Sequence, residues 1–470
     1  MSIFRFQNSA MPKPYKKHFE ISERKILLRF FDVVFVVGFL FLVHAFTDLK
    51  YFAELCENYY WIAILAIYLN LLGTVFEMYN LVVVSFANKI TKGLLLTSFF
   101  TTLFFIFTPI VTPSFPKKRV ELFLLFLVVL VALTVWRLLY IYLLASKRFY
   151  KPIVLVCRSK DFNKLSKELI INDPHIRVVK FIDVDFNNQN SIHSEYQLDL
   201  NTIDGFLTSN FVSEIVVAND SKNTSIEIYN KLLEVSENGI PITQYEDVYE
   251  DLTSRIPLHL KDKSLYKFFP FSKKQNPLYL IIVRIVDVVV SIIGLSVLLL
   301  ILPIILLFNL IWNKGPLLFH QERIGRKEAP FKIFKLRTMI VNAEKNGAVF
   351  ATVNDNRITP FGKLLRKTRI DEFPQFINVL KGEMSIIGPR PERKVFVDQI
   401  ANEIPLYHTR HIVKPGLTGW AQINYPYGET LEDSLMKLEY DLYYIKHRNI
   451  FLDINIAVKT FGTILYMKGQ

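Results

Sequence analysis

Long apolar runs dominate the N-terminal third of the chain. Four of them occur before residue 146, at about 26–46, 60–80, 92–112 and 120–145. Each run reaches the roughly 20 residues that a helix needs to cross about 30 Å of hydrocarbon. The pattern predicts an integral membrane α-helical bundle of four transmembrane helices over 26–146, preceded by a cytoplasmic N-terminal segment over 1–25.

Basic residues around these runs predict their orientation. Lysines and arginines precede the first run between residues 13 and 25, and others follow the fourth run between 147 and 151. Loops rich in Lys and Arg tend to stay in the cytoplasm, so we expect both ends of the bundle on that side. The basic residues 117–119 would then lie outside, which argues against this arrangement.

The hydrophobic pattern changes after residue 146. Residues 151–157 (KPIVLVC) and 212–218 (VSEIVVA) have the composition of short buried strands, with helix-like stretches between them. This predicts a parallel α/β unit, a degenerate Rossmann-like module over 147–250. A dinucleotide site needs glycines in the turn after the first strand, and residues 157–162 contain none. We therefore expect no dinucleotide there, and a regulatory or dimerising role for the module.

A linker over 251–277 leads to a fifth apolar run, Leu278–Trp312. A spanning helix here would place the region after it outside the cell, yet residues 314–394 contain 17 Lys/Arg and only 8 Asp/Glu. Proline inside a helix removes a backbone hydrogen bond and favours a kink. We therefore expect a re-entrant helix over 278–312 that is broken at Leu302 and Pro303. An ordinary spanning helix with a tolerated proline is the alternative.

Composition narrows the choice of partners. Hydrophobic residues make up 51% of the 470 residues, and the formal net charge is +13. Long apolar runs together with this charge favour anionic lipid headgroups and phosphorylated substrates as partners over nucleic acid. Two cysteines, Cys56 and Cys157, are too few for a disulfide framework or a cysteine-based zinc site.

Candidate chemistry concentrates between Gly315 and Arg393. Asp371 and Glu372 form an acidic pair beside the cations of residues 366–369, and an ionised carboxylate can attack phosphorus or bind Mg²⁺. On sequence alone, a solvated helix face is the more ordinary explanation of such a pair. The segment 388–391 (GPRP) places Arg390 between two prolines, which suits rigid phosphate recognition but also suits a structural turn.

One histidine pair has the spacing of metal ligands. His408 and His411 lie three residues apart, as on one face of a helix. The sequence places no third ligand near them, so we do not expect a metal there.

Four segments in a fixed order resemble a known family. Residues 369–375, 384–392, 414–422 and 440–445 together resemble the bacterial sugar transferase family, the monotopic phosphoglycosyl transferases. The four predicted N-terminal helices together with the α/β module make the chain similar to the large members, the polyprenyl-phosphate hexose-1-phosphate transferases. The resemblance implies an α/β catalytic domain over 278–470 that includes the re-entrant helix.

The same resemblance implies the site residues. Asp371 would be the nucleophile, and Asp371 with Glu372 would hold Mg²⁺ as the cofactor. Phosphate-binding cations would be Arg366, Arg390, Lys335 and Arg337. The family usually breaks its re-entrant helix at Ser-Pro, whereas this chain has Leu302-Pro303, so any role of that hydroxyl is lost here.

The implied function is transfer of a hexose-1-phosphate from a UDP-sugar to undecaprenyl phosphate, with release of UMP through a covalent aspartyl intermediate. Glucose is the expected sugar and galactose the alternative. Such a reaction would initiate exopolysaccharide, capsule or O-antigen synthesis. We expect a homodimer among the lipids of the bacterial inner membrane, with its active site on the cytoplasmic face and no nucleic acid partner.

Two rival functions have to be weighed. A membrane-bound nucleotide-sugar dehydratase would need a glycine-rich turn and a Tyr-x-x-x-Lys pair, and no such pair occurs after residue 150. A non-catalytic membrane scaffold for polysaccharide export would not need the combination of Asp371, Arg366 and Arg390.

Overall fold

The computed structural model describes residues 21–465 except 48, 85–86, 109–111, 114, 117, 144–149, 185–194, 219–224, 259–275, 342, 344–354, 427 and 429. The chain divides into two compact units, Met1–Thr253 and Ser254–Gln470. The basic residues 13–17 and 147–148 and most of the predicted linker lie outside the described residues.

The first unit begins with apolar helices. They are α1 (Ile21–Phe46), α2 (Lys50–Glu57), α3 (Tyr59–Val75), α4 (Leu81–Val84), α5 (Ala87–Ile106) and α6 (Arg119–Leu143). Of these, α1 and α6 are long and apolar enough to cross a membrane, and α2 with α3 qualifies as one span only as a pair bent by 92°. The apolar part of α5, Ile90–Ile106, is shorter. The predicted count of four spans before residue 146 is therefore not confirmed.

The predicted 60–80 span ends early for a local reason. The α3 helix stops at Val75, and Glu77 has a left-handed backbone (φ 59°) that an α-helix cannot contain. Tyr79 then folds back against Gly73, where a side chain would collide with the tyrosine ring. Apolar composition alone did not indicate this turn.

A buried ion pair joins the first and last helices of this bundle. Arg137 of α6 donates to both carboxylate oxygens of Asp32 of α1, at 2.7 and 2.8 Å. Both side chains are only 1% exposed. Two parallel hydrogen bonds give such a pair a fixed geometry, so the contact sets how α1 and α6 meet.

The α/β module follows in the same unit. Its strands are β1 (Lys151–Cys157), β2 (Ile176–Asp183), β3 (Glu214–Val217) and β4 (Ile242–Gln244), and its helices are α7 (Ser159–Asn172), α8 (Ile203–Ser209), α9 (Ile226–Glu237) and α10 (Tyr245–Thr253). All strand pairs are parallel, in the order β2-β1-β3-β4. The predicted parallel α/β unit is confirmed, and its Rossmann-like character stays a prediction.

Two polar contacts lie at the ends of this sheet's strands, one at the turn after β1 and one between the module and α1. At the start of α7, the Ser159 backbone N–H donates to the Asp183 carboxylate at 3.2 Å, at the turn where a dinucleotide phosphate would lie. Arg24 of α1 donates to Asp173 at 2.7 Å and contacts His175, which ties the helices to the module.

The first described helix of the second unit is the long α11 (Pro277–Trp312). Asn276 caps it by accepting a hydrogen bond from the Leu278 N–H, and Pro277 occupies its first turn. Its elements then follow as β5 (Leu318–Ile324), β6 (Pro330–Leu336), α12 (Pro360–Lys367), α13 (Phe376–Lys381), β7 (Ser385–Ile387), α14 (Lys394–Glu403), β8 (Gly416–Thr418), α15 (Trp420–Asn424), α16 (Leu431–His447) and α17 (Ile450–Leu465). The β5–β6 pair is antiparallel, and the β7–β8 pair is parallel.

The α11 helix runs through Leu302 and Pro303 without interruption, so the expected break does not appear as a gap in the helix. Its 36 residues qualify as a membrane span by length and composition. Proline is tolerated within a membrane helix because neighbouring groups can satisfy the freed carbonyl. The re-entrant arrangement of α11, with a spanning helix as its alternative, stays a prediction.

One face of α11 packs on the rest of the second unit along most of its length. Near the start, Arg284 donates to the carbonyls of Val379 and Leu380, both at 2.7 Å. Asp287 accepts from Ser385 at 2.9 Å and from the Ile386 N–H at 2.8 Å. Near the end, Ile305 packs with a small core cluster on α12 and β6. The opposite face exposes large apolar side chains, as a membrane-facing surface would.

Candidate active site

The two carboxylates of the predicted site lie on a short 3-10 helix, Ile370–Gln375, between α12 and α13. Arg369 precedes it with a left-handed backbone (φ 58°), which is uncommon for a residue with a side chain. This residue separates the end of α12 from the 3-10 helix that carries the carboxylates. Asp371 is 7% exposed, so its carboxylate is almost fully removed from water.

Glu372 is held by two cations. Its Oε1 accepts from Lys335 Nζ at 3.0 Å and from Arg390 Nη2 at 2.7 Å. Lys335 comes from β6, and Arg390 follows β7, so the glutamate joins two separate parts of the unit. The structure thus brings together three of the predicted site residues.

The neighbouring carboxylates have opposite pKa shifts. Burial, and then the charge of Glu372, raises the pKa of Asp371 above its usual range, against the attraction of Lys335 and Arg366. Burial also acts on Glu372, but the charges of Arg390 and Lys335 outweigh it and hold its pKa well below the ordinary value. A pair of carboxylates driven apart in this way is typical of groups with different roles in one site.

Asp371 has an unsatisfied oxygen. Its Oδ1 is buried and has no hydrogen-bond partner among the described residues. Buried polar atoms normally find a partner, and one without a partner needs an explanation. A carboxylate oxygen of this kind fits a divalent cation or a phosphoryl group of a substrate.

Arg366 of α12 places its positive charge near the Asp371 carboxylate. Its Nε donates to the Thr338 hydroxyl at 2.9 Å, and its charge lowers the pKa of Asp371. The packing of Gly362 against the Thr338 backbone leaves no room for a side chain and brings this helix close. Arg366 therefore remains a candidate phosphate ligand.

Arg337 has a different place from the one expected. Its guanidinium donates to Asn313 Oδ1 at 2.9 Å, to the Pro316 carbonyl at 2.7 Å and to the Met339 carbonyl at 2.9 Å, and it also contacts the Asn313 carbonyl. These acceptors lie just after α11 and just after β6. The guanidinium thus joins these two segments, and the phosphate-binding role of Arg337 stays a prediction.

A buried ion pair that sequence reasoning missed supports Arg390. Arg410 donates to Asp441 at 2.8 Å and to the Arg390 carbonyl at 3.0 Å. Arg410 and Asp441 are 31 residues apart, and both are buried. Asp441 stands in one of the recognised motifs, which was the available signal, but nothing in the sequence paired it with Arg410.

Close backbone packing explains the glycines around Arg390. Gly388 lies against the backbone of Gly416, where β7 and β8 meet, and a Cβ on either residue would collide with the other strand. The Gly416 N–H also donates to the Pro389 carbonyl at 2.9 Å. Glycine at both positions lets the Gly-Pro-Arg-Pro segment pack directly on the backbone around Gly416. This close packing fixes the position of the Arg390 backbone.

Comparison with known proteins identifies the family. Residues 278–467 match the family model described as bacterial sugar transferase. A putative undecaprenyl-phosphate N-acetylgalactosaminyl 1-phosphate transferase of Bacillus subtilis (strain 168) is 48% identical over 135 residues, which are 28% of this chain and 74% of that protein. The chain belongs to the bacterial sugar transferase family. The resemblance in the four sequence segments is thereby confirmed, and every carboxylate and cation of the candidate active site lies within the matched residues.

Two larger relatives of this sugar transferase extend the comparison. The UDP-N-acetylgalactosamine-undecaprenyl-phosphate N-acetylgalactosaminephosphotransferase of Aeromonas hydrophila is 43% identical over 230 residues, 48% of this chain and 52% of that protein. The UDP-glucose:undecaprenyl-phosphate glucose-1-phosphate transferase of Klebsiella pneumoniae is 42% identical over 195 residues, 40% of this chain and 41% of that protein. The alignments thus span about half or less of these relatives.

Proposed function

We propose that this sugar transferase is a phosphoglycosyl transferase that moves a hexose-1-phosphate from a UDP-sugar to undecaprenyl phosphate. The observation that carries the proposal is the buried Asp371 carboxylate, which has an unpartnered oxygen and lies among the charges of Lys335, Arg366 and Arg369. The names of the relatives support the class of donor and acceptor.

The first step is attack on the donor. A carboxylate oxygen of Asp371 forms a bond to the β-phosphorus, which carries the sugar. The bond from that phosphorus to the bridging oxygen breaks, and the oxygen leaves with UMP. Arg366 lies beside the attacking carboxylate and offsets the negative charge of the diphosphate, which would otherwise repel it.

The second step restores the enzyme. A phosphate oxygen of undecaprenyl phosphate attacks the same phosphorus, and the bond to Asp371 breaks, returning a free carboxylate. The product is undecaprenyl diphosphate hexose. Lys335 and Arg390 hold Glu372 ionised and in place through its Oε1, so we assign this second carboxylate to metal binding and Asp371 alone to the covalent step.

Mg²⁺ is the expected cofactor, and the residues fit it. Asp371 offers an unpartnered carboxylate oxygen, and Glu372 offers a carboxylate that its neighbours keep ionised. Carboxylate oxygens together with substrate phosphates are the ligands that Mg²⁺ prefers. When bound there, the ion would neutralise charge on the diphosphate.

The apolar face of α11 suits the lipid acceptor. Large side chains such as Ile285, Ile292, Leu299 and Leu307 are exposed on this helix, whose other face packs on the elements that carry the site. We propose that this face lies in the cytoplasmic leaflet of the inner membrane. A polyprenyl phosphate could then present its phosphate to Asp371 without leaving the bilayer.

The test is product analysis with the purified chain, undecaprenyl phosphate and a panel of UDP-sugars. We expect UMP as the nucleotide product, and a covalent adduct of one hexose phosphate on Asp371 when the acceptor is omitted. We propose UDP-glucose as the donor, with UDP-galactose and UDP-N-acetylgalactosamine as the comparison arms. Release of UDP would contradict the proposed chemistry. Turnover with another UDP-sugar would revise only the identity of the donor and leave the proposed reaction standing.

A further inference from the structure

A second cluster of metal-binding side chains lies in the C-terminal unit, apart from the two carboxylates. Glu328 stands in the turn between β5 and β6, and His408 and His411 lie on a 3-10 helix, Pro405–Ile412. One ligand atom from each of these three residues falls within 4.8 Å of the others. The expectation that no third ligand lies near the histidines was wrong, because the fold brings Glu328 from 80 residues away in sequence to the histidine pair.

The distances are close to those of a coordination site. His408 Nδ1 lies 2.7 Å from Glu328 Oε1, and His411 Nδ1 lies 4.0 Å from the same oxygen. Zinc binds histidine nitrogen and carboxylate oxygen at about 2.0–2.2 Å, so its ligand atoms are roughly 3–4 Å apart. Small side-chain adjustments would therefore place all three atoms around one ion.

An ordinary ion pair explains only part of the cluster. It accounts for His408 and Glu328, whose side chains are about half exposed. It does not account for His411, which is 7% exposed and whose Nδ1 has no hydrogen-bond partner among the described residues.

The turn that carries Glu328 has an unusual backbone. Lys327 and Glu328 both adopt left-handed conformations, with φ of 56° and 61°. Residues with side chains are uncommon in this region. The conformation is held by neighbouring hydrogen bonds, including that of the Gly325 N–H to the Ala329 carbonyl at 2.9 Å.

We propose that Glu328, His408 and His411 bind one zinc-class divalent cation. Two histidines and one carboxylate form a known zinc ligand set, and the exposure of His408 and Glu328 leaves a fourth position open to water. The ion would clamp the β5–β6 turn to the 3-10 helix Pro405–Ile412. That helix also carries Arg410, which holds the Arg390 carbonyl, so the clamp is connected to the catalytic region through one residue.

The experiment measures metal content of the full chain. The protein is purified in detergent through a tag without histidines, stripped with a chelator, dialysed against Zn²⁺ and analysed for bound metal. His408→Ala and Glu328→Ala remove exposed ligands and should leave the fold intact. His320→Ala is the matched control, because His320 is an exposed histidine of β5 outside the cluster.

We expect the wild-type chain and His320→Ala to retain one equivalent of zinc more than His408→Ala and Glu328→Ala. Cobalt in place of zinc should show visible absorption bands of a four-coordinate site in the first two proteins only. Zinc should also raise the thermal unfolding midpoint of the wild type and not that of the two ligand variants. Equal zinc content in all four proteins, or none in any, would overturn the proposal. Neither result bears on UMP release, so the proposed function is tested separately.

Discussion

Asp371 and Glu372 are adjacent in sequence, yet their surroundings give them different chemistry. Glu372 accepts two charge-assisted hydrogen bonds, which favour its ionised form. Oδ1 of Asp371 is buried without a hydrogen-bond partner among the described residues, and the charges of Lys335, Arg366 and Arg369 favour the ionised form of its carboxyl group. A carboxylate that is little solvated and not bonded is the more reactive of the two.

Replacing the proposed nucleophile should abolish turnover. In Asp371→Asn the amide has nearly the same shape but cannot form the ester to phosphorus, so we expect UMP release to fall at least about 1000-fold. The thermal unfolding midpoint should change little. Asp398→Asn, an exposed aspartate of α14, is the matched control and should retain normal activity. An Asn variant at position 371 with a tenth of the wild-type rate would exclude this residue as the nucleophile.

The raised pKa of Asp371 predicts the acid side of the pH profile. The ionised carboxylate is the active form, so activity should be lost as the pH falls through a value above that of an ordinary aspartate. Lys335 lowers this pKa, and Lys335→Met should therefore move the acid limb of kcat/KM to higher pH while also reducing the rate. Lys332→Met, an exposed lysine of the same strand, should leave the limb unchanged. If the acid limb of kcat/KM lay at the same pH in Lys335→Met as in the wild type, the limb would not report the ionisation of Asp371.

At the residue scale, the sequence pointed to several charged side chains of the site but not to where the fold places each of them. Lys335 and Arg337 are two residues apart, and strand periodicity would place both on one face. The strand ends at Leu336, so Arg337 turns to the end of α11 while Lys335 points to Glu372. Arg410 and Glu328 could not be assigned at all, because their partners are brought to them by the tertiary fold.

At the scale of elements, the contact between α11 and α13 controls where the carboxylates lie. Gly294 of α11 meets the ring of Phe376, the first residue of α13, with no space for a side chain. Phe376 directly follows the 3-10 helix of Asp371, and its ring packs edge-to-face on Phe373 of that helix at 5.6 Å. A displacement of α11 would therefore reach the site through two aromatic rings.

Filling this contact should damage both stability and activity. Gly294→Leu would force α11 and α13 apart, and overpacking of this kind costs about 1–3 kcal/mol. We expect a lower thermal unfolding midpoint and reduced UMP release. Ser296→Leu introduces the same side chain on an exposed position of the same helix and is the control. Equal behaviour of the two variants would show that the close approach has no importance for the site.

Element prediction succeeded where local pattern decides structure. The first strand of the α/β module begins and ends at the predicted residues, Lys151 and Cys157, because a short apolar run that is buried over its last five residues is typical of a parallel strand. The apolar runs were less reliable guides to helix ends. Hydropathy reports burial from water and does not reveal the left-handed turn at Glu77 that ends the second run early.

At the scale of the whole molecule, the contacts of α11 restrict how it can lie in a membrane. Arg284 near its start donates to the Val379 carbonyl of α13, and Ile305 nearer its end packs with the core cluster on α12 and β6. With a rise of 1.5 Å per residue, these positions are roughly 32 Å apart along a straight helix, about the thickness of the hydrocarbon. A helix that crossed the bilayer would draw polar parts of the unit into the lipid, where unsatisfied backbone groups are costly.

We therefore predict that both flanks of α11 face the cytoplasm, where UDP-sugars are made. Single cysteines at Ser264 and Asn346, in a background lacking Cys56 and Cys157, should both be protected from a membrane-impermeant thiol reagent in intact cells, and both should react after permeabilisation. Pro303→Ala should reduce activity if the proline keeps the helix from crossing, since alanine favours a straight helix. A cysteine at the extracellular end of α1 or α6 is the positive control for labelling. External labelling at position 346, with position 264 protected, would establish a true span and place the residues after α11 outside the cell, away from their proposed donor.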